Sequence, residues 1–191
     1  RSWEYMNVPH GIAPNGGGEY VNSYTIMMDY QQGSHSGLWG GWYYDSLYNT
    51  SQTNSNDGDL FISTPEGGYT GSVIGVGDAG YSDLTFDSGQ MNRIVLSVDN
   101  ANFFRVYING VLFLDGAAQG VDGRFSLDPT VNLFADNDWE DSWGMVGTAM
   151  IWDHALTTSE VAAMGSASTT LVTPEPATMS ILAIGGLALL R

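Results

Sequence analysis

Residues 93–114 read RIVLSVDNANFFRVYINGVLFL. Ile94, Leu96 and Val98 recur at every second position of Arg93–Asp99, and Phe104, Val106 and Ile108 do the same along Phe103–Ile108. Period two is the mark of a pleated strand with one face turned to a core. Asn109-Gly110 follows at once, and Val111–Leu114 resumes the apolar run. Both turn residues tolerate positive φ, which a two-residue type I′ turn demands. The spacing predicts an antiparallel hairpin hinged on residues 109 and 110.

The same period extends outward. In Val21–Tyr30, Tyr24, Ile26, Met28 and Tyr30 alternate with Thr25, Met27 and Asp29, which predicts a half-buried strand. Leu38–Tyr44 carries two Trp and two Tyr around a glycine pair, and Asn49–Gly58 is a polar loop. Leu60–Ser63, Ser72–Val76, Val131–Ala135 and Met145–Trp152 are further strands. Thr157 with Glu160 three residues on forms a capping box for one short helix, which Gly165 can close in a left-handed conformation. Many short strands and one brief helix predict an all-β fold, two antiparallel sheets packed face to face, over residues 20–165. Residues 1–19 show little periodicity and no basic-plus-apolar leader, as expected of a mature or trimmed end.

Composition narrows function. The chain has 191 residues, 21 acidic side chains against five arginines, no lysine, no cysteine and a net charge of −16. Nucleic acid and anionic membranes need a cationic surface, so neither is an expected partner. Without cysteine there is no disulfide framework and no thiolate site. The acids are 15 Asp against six Glu, short carboxylates that belong in turns and metal loops more than on helix faces.

The C-terminus has its own pattern. Residues 166–173 are small and polar, as in a linker. Pro174-Glu175-Pro176 follows, then the apolar run Met179–Leu190 and a final Arg191. Twelve residues of helix span roughly 18 Å, short of the ~30 Å hydrocarbon core of a bilayer. Residues 174–191 resemble a PEP-CTERM sorting signal, although the basic end is a single arginine. The resemblance implies export from a bacterium that makes extracellular polysaccharide, transient membrane association through the tail, cleavage by an exosortase-type enzyme, and a cell-surface or matrix location. The body resembles the laminin-G-like, concanavalin-A-like superfamily. The residues that carry this likeness are Val106–Val111, Asp122-Gly123-Arg124, Leu133–Asp138, and Ile151–Thr157 with Glu160 and Val161. It implies a jelly-roll sandwich but names no ligand, because that fold hosts lectins, hydrolases and adhesion modules.

The residues offer three kinds of candidate site. Asp136, Asn137, Asp138, Glu140 and Asp141 place five oxygen-bearing side chains within six residues, and Asp57 and Asp59 offer two more. Calcium takes six to eight hard oxygens, and crowded carboxylates repel one another without a cation. The resemblance adds weight, since the superfamily often uses structural calcium; the alternative is a solvated acidic turn. Trp39, Trp42, Tyr43 and Tyr44 supply flat rings for stacking on sugar faces, but alternation turns two of the four inward, and the alternative is core packing. Catalysis finds no apparatus. Retaining glycosidases need two carboxyls about 5–5.5 Å apart, and no two of the six glutamates share a strand face. His10, His35 and His154 are scattered. The expected protein is therefore a non-catalytic, calcium-stabilised surface or matrix domain binding extracellular polysaccharide or a surface protein. A self-associating structural subunit of a filament, sheath or coat is the alternative.

Overall fold

The structure, a computed structural model, describes residues 6–33, 41–50, 58–135 and 143–168. Within them lie twelve strands and one helix: β1 Met6–Pro9, β2 Ser23–Gln32, β3 Trp42–Asn49, β4 Asp59–Pro65, β5 Thr70–Val76, β6 Gly80–Tyr81, β7 Phe86–Asp87, β8 Asn92–Asp99, β9 Phe103–Ile108, β10 Val111–Gly116, β11 Thr130–Leu133, β12 Gly144–Trp152 and α1 Thr158–Met164. They form two antiparallel sheets. One runs β1-β11-β3-β4-β5-β6, with β7 also on β5, and the other runs β10-β9-β8-β2-β12.

The hairpin forms as its spacing predicts. Val111 pairs Ile108, and Asn109 and Gly110 sit at φ 52° and 81°. Its inward residues Phe104, Val106 and Ile108 lie opposite Val98, Leu96 and Ile94 of β8. Those in turn face Tyr24, Ile26 and Met28 of β2. Across the sandwich they meet Leu47, Tyr48, Leu60, Ile62, Ile74, Val131 and Leu133 in one buried cluster. The Tyr24 hydroxyl donates to the Phe125 carbonyl at 2.7 Å, which pins the segment before β11 over one end of the core.

Three expectations are corrected. First, β2 is buried on both faces rather than half-buried. Met27, Val95 and Tyr107 point away from the main core, and Leu156 and Val161 of the chain end cover them. Second, β1, from the aperiodic N-terminal stretch, pairs with β11; four residues are too few to reveal a period. Third, Gly165 has φ 60° but ψ −148°, outside the left-handed helical region, while its N–H still reaches the Ala162 carbonyl at 3.3 Å. The capping box itself is present: Glu160 N–H donates to Thr157 Oγ1 and Thr157 N–H to Glu160 Oε2.

Seven residues are too few for a helix to hold its own shape in water, so α1 depends on docking. Val161 is fully buried against the outer apolar patch, and Ser97 and Thr25 bond the backbone of Leu156. Beside it, Arg93 grips Asp29 on the neighbouring strand through Nε at 2.8 Å and Nη2 at 2.9 Å, and its Nη1 donates to the Met164 carbonyl at 2.7 Å. The two side chains are 1% and 3% exposed. Breaking such a pair strands a charge in a medium that cannot solvate it. Arg93→Met should lower the unfolding free energy by about 3–5 kcal/mol in urea denaturation, and Arg93→Met with Asp29→Leu should recover most of the loss.

Candidate functional site

The seven-stranded sheet has an outer face on which no described element packs. Register defines that face. Thr64 Oγ1 donates to Gln32 of the opposite sheet at 2.7 Å, so Thr64 and its cross-strand partner Tyr43 turn inward. Tyr48 also turns inward, where its hydroxyl meets that of Tyr24 at 3.2 Å. Alternation sends Trp42, Tyr44 and Ser46 of β3 outward, with Phe61 and Ser63 of β4 opposite Ser46 and Tyr44. Tyr44 and Phe61 meet edge to face, centroids 6.5 Å apart at 85°. Tyr44, Trp42 and the neighbouring Val73 are half-buried. Ser63 is 2% exposed, and its hydroxyl has no hydrogen-bond partner among the described residues.

A polar row continues the face across β1, β11, β3 and β4. Asn7 Nδ2 donates to Asn132 Oδ1 at 2.8 Å, Asn132 stands opposite Asn49, and Asn49 Nδ2 donates to Asp59 Oδ1 at 2.9 Å. Arg124 Nη2 lies 3.8 Å from Asp59 Oδ2, and the guanidinium also pairs with Asp78. Thr50 Oγ1 holds the Arg124 carbonyl at 3.1 Å and accepts from Gly58 N–H at 2.7 Å. A Cβ on Gly58 would collide with that carbonyl, so glycine is required there.

Of the aromatic residues expected to form a platform, Trp42 and Tyr44 share this outer face and Tyr43 does not. Asp59 is buried, its carboxylate engaged by Asn49 and Arg124. Trp39, Asp57, Asp136, Asn137, Asp138, Glu140, Asp141, Pro174, Glu175 and Pro176 lie outside the described residues. By chain connection, residues 34–40 lead into β3, 51–57 join β3 to β4, and 136–142 follow β11. Among the described residues no group of three or more His, Asp or Glu gathers as a metal site.

A second polar knot ties the N-terminal stretch to the loop before Phe125. Asp122 accepts from Glu19 N–H at 2.8 Å, Tyr20 N–H at 3.0 Å and Asn22 Nδ2 at 2.8 Å. Asn22 Oδ1 accepts from Asp122 N–H and from Asn100 Nδ2. The Asn22 amide, then the Glu19 N–H, hold the Asp122 carboxyl below its ordinary 3.8. These donors favour the charged form. Nearby, His10, Ile12, Pro14, Tyr20 and Leu127 line a pocket of about 170 Å³. Both His10 ring nitrogens are engaged, by the Asp128 carbonyl and by Ile12 N–H. The described glutamates sit apart: Glu19 before β2, Glu66 after β4 and Glu160 on α1.

No family model and no curated protein matches the sequence. Solved structures share the fold. One is a candidate carbohydrate-binding protein from Bacteroides ovatus, 12% identical, with 84% of this chain over 46% of that one at a TM-score of 0.54. A second is domain 4 of the extracellular GH43 arabinanase AbnA from Geobacillus stearothermophilus, in complex with arabinotriose: 18% identity, 84% over 80%, TM-score 0.51. A third is Trypanosoma rangeli sialidase with the inhibitor DANA: 18% identity, 74% over 22%, TM-score 0.50. The chain thus spans about a fifth of the sialidase and under half of the Bacteroides protein. What these likenesses define is a two-sheet β-sandwich with one short helix.

The Asp122 knot makes a pH prediction. A carboxyl depressed in the folded state contributes its full stability above the unfolded value and loses it as pH falls through the folded one. Asp122→Ala should lower the melting temperature at neutral pH, and the gap from the parent should narrow as pH falls below about 3.8 and close once it passes the lower folded-state value.

Proposed function

We propose that this chain is a non-catalytic carbohydrate-binding domain that holds a neutral oligosaccharide on the outer face of its seven-stranded sheet, around Tyr44. The observation that carries the reading is the Tyr44 environment. A half-buried ring, braced edge-on by Phe61 and flanked by Trp42, lies opposite Ser63, whose buried hydroxyl lacks a partner among the described residues. Aromatic faces suit the apolar C–H surface of a sugar, and a small number of placed polar groups fix its hydroxyls. The fold neighbours that bind sugars by their own descriptions, the arabinanase domain and the Bacteroides protein, support the same class of ligand.

Charge selects a neutral glycan. Arg93, Arg105 and Arg124, the described arginines, each face a carboxylate, and the chain carries −16. An acidic sugar would meet repulsion with no cation committed to it.

We further propose that Asp136, Asn137, Asp138, Glu140 and Asp141, with Asp57, hold a structural calcium ion, on the strength of their crowding in sequence. Asp59 suits this poorly, because the Arg124 guanidinium already faces it. The tail's likeness to a PEP-CTERM signal supports export and processing by an exosortase-type enzyme at a polysaccharide-rich cell surface. Self-association remains the second reading, favoured by the exposed edge of β12, as a closed pair and not as a filament, sheath or coat.

The test is calorimetric titration with neutral oligosaccharides, arabinotriose among them, and with sialylated ones, in calcium and in chelator. The parent should bind neutral glycan in calcium. Tyr44→Ala should weaken binding about tenfold or more, ~1.4 kcal/mol, with the melting temperature nearly unchanged, and chelator should lower both affinity and melting temperature. Equal binding by parent and Tyr44→Ala, or preference for sialylated glycans, would overturn the assignment.

A further inference from the structure

Among the described residues β12 is an open edge. It closes one side of the five-stranded sheet, pairs only with β2 among the described strands, and runs nine residues, GMVGTAMIW. It contains no charged residue and no proline. Met145 is 57% exposed, Val146 43%, and the adjacent Trp143 50%. A strand edge offers a row of backbone N–H and C=O groups that another strand can match, and proteins normally blunt such edges.

The other edges of this sandwich are blunted. β1 is four residues long and ends in Pro9. β6 is two residues long. β10 breaks register between Leu112 and Leu114, carries the Arg105–Asp115 ion pair, and runs into a backbone bond from Ala117 N–H to the Ala79 carbonyl. β12 has none of these devices except a register shift between Val146 and Thr148.

We propose that β12 pairs antiparallel with β12 of a second copy of this chain about a two-fold axis near Thr148, joining two five-stranded sheets into one. The chemistry of the edge selects the partner. A foreign partner for so acidic a chain would be expected to bring cations, yet this strip offers no carboxylate to meet them. Two copies repel through their −16 charges almost everywhere else, and within β12 they meet without an acid on either side. Pairing about Thr148 also sets Asp153 of one copy against Trp143 of the other, not against another carboxylate. An isologous contact of this kind needs no second sequence and closes on itself. The proposal is independent of the glycan reading, and it makes any self-assembly a closed pair at this edge, not an open filament.

The absence of cysteine makes the test clean. Thr148→Cys in the full chain, mildly oxidised, should give a disulfide-linked dimer, since a bridge requires Cα atoms about 4.4–6.8 Å apart and the axis sets this residue against itself. Val111→Cys, on the opposite edge and 56% exposed, should not. In sedimentation up to about 100 µM the parent should be dimeric. Ala149→Glu and Val146→Glu should weaken the dimer at least tenfold, with melting temperature and oligosaccharide titration otherwise retained. A parent monomeric throughout that range, crosslinking through Val111→Cys instead, or open polymers would overturn the proposal. Loss of glycan binding in a normally dimeric protein would count against the glycan reading alone.

Discussion

Successive side chains on a pleated strand point to opposite sides, so a sheet with apolar residues at both parities must be covered twice. The five-stranded sheet faces this demand. Its inner parity, Ile26, Ile94, Leu96 and Val106, closes against the other sheet. Its outer parity, Met27, Val95 and Tyr107, is closed by the chain end that follows β12. Arg93 fastens this second layer, spanning from the Asp29 carboxylate to the Met164 carbonyl of α1. The helix contributes little stability of its own and much burial.

The seven-stranded sheet solves the same problem differently. Its inner parity completes the core, while its outer parity is a mixture of amides, hydroxyls, one carboxylate and three aromatic rings. Amides in register satisfy one another across strands, which keeps a polar face affordable where solvent is scarce. Ser46, Asn49, Phe61 and Ser63 on this face are buried, and Trp42 and Tyr44 are half-buried. The two sheets thus differ: one carries apolar residues on both sides, the other an apolar inner side and a mixed polar and aromatic outer one.

How much of this was legible depended on range. The β9–β10 hairpin is a local feature, and Phe103–Ile108 with its Asn109-Gly110 turn could be read to the residue. The capping box at Thr157 is equally local. The second burial of β2 was not legible, because Thr25 and Met27 find their cover some 130 residues away in sequence, as in the 131-residue separation of Thr25 from Leu156, and Asp29 finds Arg93 64 residues away. At the candidate site the aromatic run 42–44 stood out by composition, and alternation already implied that its members would part company. The Asn7–Asn132 and Asn49–Asp59 contacts left no trace, since an isolated asparagine in a strand has no period and its partner is set by register. Arg124 was visible only as part of a resemblance, not as the cation that faces Asp59.

The central claim is that the outer face of the seven-stranded sheet, around Tyr44, is where an oligosaccharide sits. Hydrogen–deuterium exchange with and without a saturating neutral oligosaccharide addresses it directly. Protection concentrated in β3 and β4, at residues 42–46 and 61–65, with β8 and β9 unchanged, is the result the account predicts. Protection confined to the five-stranded sheet or to the rim around His10 and Tyr20 would contradict it.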